Sequence, residues 1–178
     1  DSHVLLQAIA VLRANYRSSL SAMHIDHGLQ PVSAEWGRHC AHVCTALDVP
    51  LAVERIRVDG IADEGLEAAA RRARYAALAA ALAPGDILLT AHHCDDQAET
   101  VLLQLLRGTG IAGLAAMPAQ TDFGPGRIVR PLLGFSRTAL QAYAREHRLA
   151  WIEDPSNQEL HLRRSFLRTE VLPRLARH

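Results

Sequence analysis

Nine consecutive residues, His92-His93-Cys94-Asp95-Asp96-Gln97-Ala98-Glu99-Thr100, put two imidazoles and three carboxylates into one short segment. Imidazole and carboxylate ligands at that density suit a divalent cation. They also suit a nucleotide site, with Asp96 holding Mg2+ on phosphates and His92 touching a phosphate or the reacting substrate. The plain alternative is a metal-free polar turn, in which Asp95 or Asp96 caps a helix and both histidines are hydrogen-bonded. From this segment alone all three stay open.

Its surroundings say where it sits. The apolar run Ile87-Leu88-Leu89-Thr90-Ala91 reads as a buried strand, and Val101-Leu102-Leu103-Gln104-Leu105-Leu106 reads as a helix lying on it. The charged groups therefore collect where a strand ends and a helix begins. In an open α/β sheet that edge is where ligands bind, beside helix N-termini that favour anions.

A second polar cluster, Met23-His24-Ile25-Asp26-His27-Gly28-Leu29, lies at another strand end. It reads either as a solvated loop or as an edge whose main chain meets an adenine. In Glu67-Ala68-Ala69-Ala70-Arg71-Arg72-Ala73-Arg74-Tyr75, the residues Arg71, Arg74 and Tyr75 share a helix face. That face is a solvated basic surface or a set of guanidinium groups aimed at phosphates. Arg107-Gly108-Thr109-Gly110-Ile111-Ala112-Gly113 follows a helix and does not open one, so it is a tight turn and not a dinucleotide fingerprint. Arg107 on that turn is a candidate to face ligand. Trp151-Ile152-Glu153-Asp154-Pro155-Ser156-Asn157 is a strand-like segment and polar turn, and Arg163, Arg164 and Arg168 follow it. Those arginines read as an amphipathic terminal helix or as an arm contacting the phosphates of a nucleic acid.

The elements that must position these groups alternate between helix and strand, as in a parallel sheet covered on both faces. Helices are expected over Val4–Ala14, from Ser33 to about Leu47, over Leu66–Leu82, after Asp95, and over Arg137–His147 with Ser136 as its cap. Strands are expected over Ser19–Asp26, Leu51–Val58, from Ile87, and within Arg127–Leu133. The chain opens directly into a helix at Asp1-Ser2, without the strand that such an alternation places first. The expectation is a chain that starts partway through its own domain.

Composition narrows the class. With 178 residues, 49% apolar and 21% charged, the chain suits one globular domain. No stretch approaches a membrane span and no cleavable leader opens it, so a cytoplasmic, non-membrane protein is expected. The formal net charge is zero, yet Arg163, Arg164, Arg168, Arg174 and Arg177 crowd the end. Every basic residue other than histidine is arginine, which excludes a lysine nucleophile from the chain itself. Cys40, Cys44 and Cys94 contain no Cys-x-x-Cys pair, which argues against a disulfide framework and a zinc ribbon.

Together these motifs resemble the tRNA(Ile)-lysidine synthetase family, a branch of the PP-loop ATP pyrophosphatases. The matching residues are Asp1-Ser2, His24 to Leu29, Ala70-Arg71 with Arg74-Tyr75, and His92 to Thr100. Arg107-Gly108-Thr109-Gly110 with Gly113-Leu114, Arg130-Pro131-Leu132-Leu133, Glu153 to Asn157, and Arg163-Arg164 complete them. The resemblance implies a doubly wound α/β fold of the adenine nucleotide alpha hydrolase type, with its first strand missing from the chain. Residues 1–150 would form the ATP-binding catalytic part, and 151–178 an arginine-rich segment of the same domain. It implies that ATP and Mg2+ activate the wobble cytidine of a tRNA(Ile) with a CAU anticodon by adenylation. Free L-lysine would then attack C2 to give lysidine.

The resemblance also assigns residues. Asp1 and Ser2 belong to the pyrophosphate loop, and His24 and Ile25 meet the adenine. Arg71, His92, Asp96 and Asp1 are the catalytic set, with Arg71 and Gly108 also on ATP. Asp96 and Asp1 are the candidate Mg2+ ligands. Arg74, Arg107, Arg163, Arg164 and Arg168 face tRNA or phosphate. The family's Ser-Gly-Gly ahead of Asp1 and the strand before it are absent, so the chain by itself is expected to be inactive; separately, Gln30 stands where the family often has arginine. Oligomeric state stays open, a dimer included. The rivals are a PP-loop cytidine 2-thiolase, a metal-dependent hydrolase on His92, His93, Asp95 and Asp96, and a binding-only nucleotide module.

Overall fold

The computed structural model describes every residue except 16–17, 29–32, 153–162, 176 and 178. Helix α1 (Ser2–Leu12) runs into a 3-10 turn, and β1 (Ala22–Asp26), α2 (Ser33–Ala46) and β2 (Leu51–Arg55) follow. Then come α3 (Ile61–Glu64), α4 (Leu66–Ala80), β3 (Ile87–Leu89), α5 (Cys94–Leu106) and α6 (Ile111–Leu114). A hairpin, β4 (Gln120–Phe123) and β5 (Gly126–Val129), leads to α7 (Arg137–Glu146). The chain closes with α8 (Arg163–Phe166), a π-helical stretch Leu167–Val171, and α9 (Leu172–Leu175). Among the described residues no helix is long and apolar enough to cross a membrane.

Local chemistry sets most boundaries. The Ser136 side chain accepts the Ala139 N–H at 3.2 Å and starts α7, as its type and position predict. Helices α2 and α7 both stop in a left-handed residue, Asp48 (φ 51) and Arg148 (φ 53). The next residues donate back into the last turn, Val49 N–H to Cys44 O at 2.9 Å and Leu149 N–H to Ala144 O at 2.8 Å.

The strands form two sheets, of order β1-β2 and β3-β5-β4. β1 and β2 are parallel, with His24 opposite Val53 and Asp26 opposite Arg55. In the second sheet Arg127 N–H donates to Asp86 O and Thr90 N–H to Val129 O, so the bonds step the same way along β3 and β5. That is the parallel pairing the alternation predicts.

The chain divides into two compact units. One comprises 5–88 and 122–128, the other 1–4, 89–121 and 129–178. In the first, α2 and α4 pack on β1, and Val43, Cys44, Ala69, Leu78 and Ile128 are buried. In the second, α5 is covered by α6 and by the closing helical segment, and Leu132, Leu140 and Leu167 are buried.

Four expectations need correction. The run from Ile87 is not a buried strand: Ile87 is 57% exposed and Leu88 and Leu89 are half-buried, on a strand that is at the edge of its sheet among the described residues. Ile128 on β5 takes the buried place instead. Strand β4 was not anticipated, since Gln120-Thr121-Asp122 has no apolar alternation and becomes a strand only through its hairpin partner. The closing segment is not a free arm, because Ser165 and Leu167 are buried. Trp151 and Ile152 are not in a strand, and Glu153 to Asn157, like Gln30, lie outside the described residues.

Gly126 marks a tight approach in the second sheet. A Cβ there would overlap the Asp86 carbonyl, which is backbone and cannot swing aside. Gly134, in contrast, has nothing within 4 Å. Gly126→Ala is expected to lower unfolding free energy by about 1–3 kcal/mol, and Gly134→Ala by much less. Urea denaturation of both variants checks this, and equal midpoints would count against the packing account.

Candidate functional site

The chemistry-rich segment begins where β3 has ended and α5 starts, as its sequence requires. His93 is the extended residue before α5 (φ −125), and the next residue, Cys94, donates its N–H to Phe135 O at 2.9 Å. Asp96 turns back and its Oδ2 accepts the His93 N–H at 2.9 Å, satisfying a donor that the helix start leaves without an intrahelical partner. Asp95 reaches elsewhere. Its Oδ2 accepts the Arg137 N–H at 2.8 Å, so it serves the first turn of α7.

Between these carboxylates lies the His93 ring, 2% exposed. Its Nε2 is 3.4 Å from Asp1 Oδ2 and 3.6 Å from Asp96 Oδ2, and its Nδ1 is 3.6 Å from Asp95 Oδ2. Three acidic side chains thus surround one buried imidazole. Neighbouring His92 is half-buried, with Nδ1 2.9 Å from Thr90 Oγ1.

One turn further along α5, Glu99 has no exposure at all. Arg168 Nε donates to its Oε1 at 2.6 Å, and Arg164 approaches Oε2 at 3.9 Å. Arg168 also lies 4.0 Å from Asp96 Oδ1. Burial by itself pulls the Arg168 pKa down, but the Glu99 hydrogen bond and the charges of Glu99, Asp96 and Asp95 leave it raised. The guanidinium is thereby locked in its charged form behind the Asp96 carboxylate.

The unit therefore brings together Asp1, Asp96, Arg164 and Arg168, with His92 two residues after β3's last bond. It does not bring in Arg107 or Gly108. They close α5 at the end opposite His93, where Gly108 (φ 69) takes the left-handed turn that α5 needs to stop. Ser2 opens α1 and is exposed, and Arg163 opens α8, with its side chain outside the description.

His24, Ile25, Arg71 and Arg74 belong to the other unit. There Asp26 Oδ1 accepts the Gly28 N–H at 2.8 Å, which shapes the turn after β1 and holds the Asp26 pKa below its ordinary value. Burial lowers the pKa of both His24 and His27; the Arg74 guanidinium adds to the fall, and Asp26 opposes it. Arg71 sits over the Tyr75 ring, 4.7 Å from its centre. Cys40 and Cys44 are free thiols on α2, pushed up in pKa by burial, and Cys40 Sγ is 3.6 Å from His24 Nδ1.

The oxygen donors fit a hard cation. Asp96 Oδ2 is engaged by backbone, Oδ1 lies 4.0 Å from Arg168, and the Asp1 side chain is 44% exposed. Among the described residues no group of three or more His, Cys, Asp or Glu side chains is arranged to hold a metal. That geometry suits Mg2+, which is commonly held by one or two carboxylates together with substrate phosphates. It gives no support to a hydrolase cage on His92, His93, Asp95 and Asp96. The resemblance gives neither Glu99 nor His93 a role in the ATP site, and His93 enters only the rival hydrolase reading. The available signal was spacing: Glu99 follows Asp96 by three residues and so shares its helix face.

A family model of the PP-loop domain matches residues 1–175. A tRNA(Ile)-lysidine synthase from Pseudomonas aeruginosa is 54% identical over 179 residues, covering 100% of this chain and 40% of that protein. A tRNA(Ile)-lysidine synthase from Coxiella burnetii is 48% identical over 177 residues, covering 99% of this chain and 39% of that one. The chain thus spans about 40% of the length of the curated relatives it matches. A U34-tRNA thiolase from Methanococcus maripaludis, solved with its 4Fe-4S cluster, is similar with a TM-score of 0.70 at 14% identity. That match covers 99% of this chain and 68% of the thiolase chain, and it concerns the fold alone. The fold is the adenine nucleotide alpha hydrolase-like α/β type expected from the sequence.

Two outcomes follow from these contacts. Arg168→Ala strands a wholly buried carboxylate, so a loss of about 3–5 kcal/mol is expected, and Glu99→Leu with Arg168→Leu together should recover much of it. Urea unfolding distinguishes them, and a loss under about 1 kcal/mol in the single variant would refute the pairing argument. The second concerns acid. His24 and His27 have folded pKa values below 6.5, so the unfolded chain binds more protons as pH drops. Their contribution is complete above about pH 6.5 and is lost as pH falls toward the folded values, and Asp26 adds its own loss below 3.8. Melting temperature should fall from about pH 7 to about pH 5, and His24→Gln with His27→Gln should flatten that slope.

Proposed function

The chain belongs to the PP-loop domain family, and from that premise we propose that it is the ATP-using part of a tRNA(Ile)-lysidine synthase. The observation that carries the proposal is one cluster in which Asp1, Asp96, Arg164 and Arg168 meet at the start of α5. Identity of about half to lysidine synthases along the whole chain supports the substrate assignment. Residues 1–150 carry the nucleotide chemistry, and 151–178 complete the same domain. The reaction takes place in the cytoplasm.

In this proposal Asp1 and Asp96 hold Mg2+, which when bound neutralises phosphate charge on ATP. Asp1 and Ser2 line the pyrophosphate, and main chain at His24 and Ile25 meets the adenine. Arg71 pairs with a phosphate bidentately, and His92 lies by the reacting centre. Arg164 and Arg168 supply fixed positive charge next to carboxylates that would otherwise repel an anionic substrate. Arg74, Arg107 and Arg163 contact tRNA or phosphate, and Gly108, next to Arg107, contributes main chain to ATP binding. The C2 oxygen of the wobble cytidine attacks the α-phosphorus of ATP, the α–β phosphoanhydride bond breaks and pyrophosphate leaves, so that the oxygen becomes part of an AMP leaving group. The amine of free lysine then forms the C–N bond as AMP departs, and a proton leaves the attacking nitrogen. The residues act by orientation and charge neutralisation.

The full-length natural protein that carries this chain, with ATP, Mg2+ and labelled lysine, should label an isoleucine tRNA transcript with a CAU anticodon. A matched GAU transcript should stay unlabelled. Pyrophosphate release without lysine transfer would overturn the lysidine assignment and keep the nucleotide chemistry. Asp96→Asn is expected to lower labelling by at least about 100-fold.

A further inference from the structure

His93 lies in the segment on which the proposed function depends, yet that proposal gives it no part. Its surroundings are unusual for a core histidine. It is 2% exposed, and carboxylate oxygens of Asp1, Asp95 and Asp96 lie 3.4, 3.6 and 3.6 Å from its two ring nitrogens. Most buried side-chain polar atoms find at least one neutral hydrogen-bond partner in backbone, side chain or water. This one faces carboxylates on every polar side. Two of them already have backbone partners, since Asp95 accepts from Arg137 and Asp96 accepts from the His93 N–H. Asp1 approaches through its Oδ2, 3.4 Å from His93 Nε2.

We infer that His93 is a positioning residue whose Nε2 holds the Asp1 and Asp96 carboxylates side by side for one hard cation carried on a nucleotide's phosphates. The inference rests on the proposed function. Two carboxylates brought together without a partner repel each other and splay apart. An N–H between them offsets that repulsion, and a buried ring cannot rotate away with them. Asp96 is already fixed by α5, so the residue that gains most is Asp1, whose side chain is 44% exposed. Second-sphere partners of this kind commonly set metal affinity by 10–100-fold without touching the metal.

Manganese is the probe. Mn2+ binding in the presence of ATP is followed by electron paramagnetic resonance on the full-length protein, and ATP binding without metal by equilibrium dialysis. His93→Ala should weaken Mn2+ by roughly 10–100-fold, with metal-free ATP binding changed by less than about twofold. His93→Gln, whose amide still donates to one carboxylate, should recover part of the loss. In an Asp1→Asn background, His93→Gln should weaken Mn2+ no further, because the carboxylate it positions is gone. That cycle decides the matter even where His93→Ala does not fold. Unchanged Mn2+ affinity in a folded His93 variant would overturn the inference, as would additive losses in the cycle. A wild-type protein that binds no ATP at all would overturn the proposed function and this inference with it.

Discussion

A carboxylate with no access to water cannot remain charged without a partner, and Glu99 is such a group. Its partner, Arg168, comes from a helical segment 69 residues later in the chain. The pair therefore decides where the closing segment packs, and the segment in turn keeps water from Glu99. Arg168 lies in the π-helical stretch Leu167–Val171, a local widening often found at functional positions. From there it also faces Asp96.

Helix α5 distributes this constraint. Consecutive polar residues on its first turns each tether a different part of the same unit. Asp95 takes the start of α7, Asp96 takes the helix's own entry, and Glu99 takes the closing segment. Gln97 clamps Met117 from both sides, donating to its carbonyl at 2.7 Å and accepting its N–H at 2.9 Å. The same helix end that gathers acidic groups is thus held by three separate segments. Such support is what a preorganised site needs, because charged groups then meet their substrate without having to rearrange.

The other unit solves a related problem differently. At the end of β1 the polar groups are two partly buried histidines, Asp26 and a nearby Arg74, and no buried ion pair forms there among the described residues. Burial and the arginine keep the imidazoles neutral at ordinary pH, while Asp26 is occupied by the Gly28 backbone. Neutral rings and available main chain suit a base better than a phosphate. Charge is therefore concentrated at α5 and reduced at β1.

The sequence by itself determined the alternation of elements, the Ser136 cap, the parallel pairing, and the gathering of acidic side chains at the start of α5. These follow from periodicity and side-chain type, which act over a few neighbours. It could not determine that, among the described strands, β3 is an edge and β5 a centre, because strand order is set by long-range backbone pairing that no local pattern records. Nor could it single out His93 over His92, since adjacent residues of one type differ only in the direction the backbone turns them. The joining of Glu99 to Arg168 was decided by tertiary structure alone: both residues were visible, but only packing removed the water that makes their pairing obligatory.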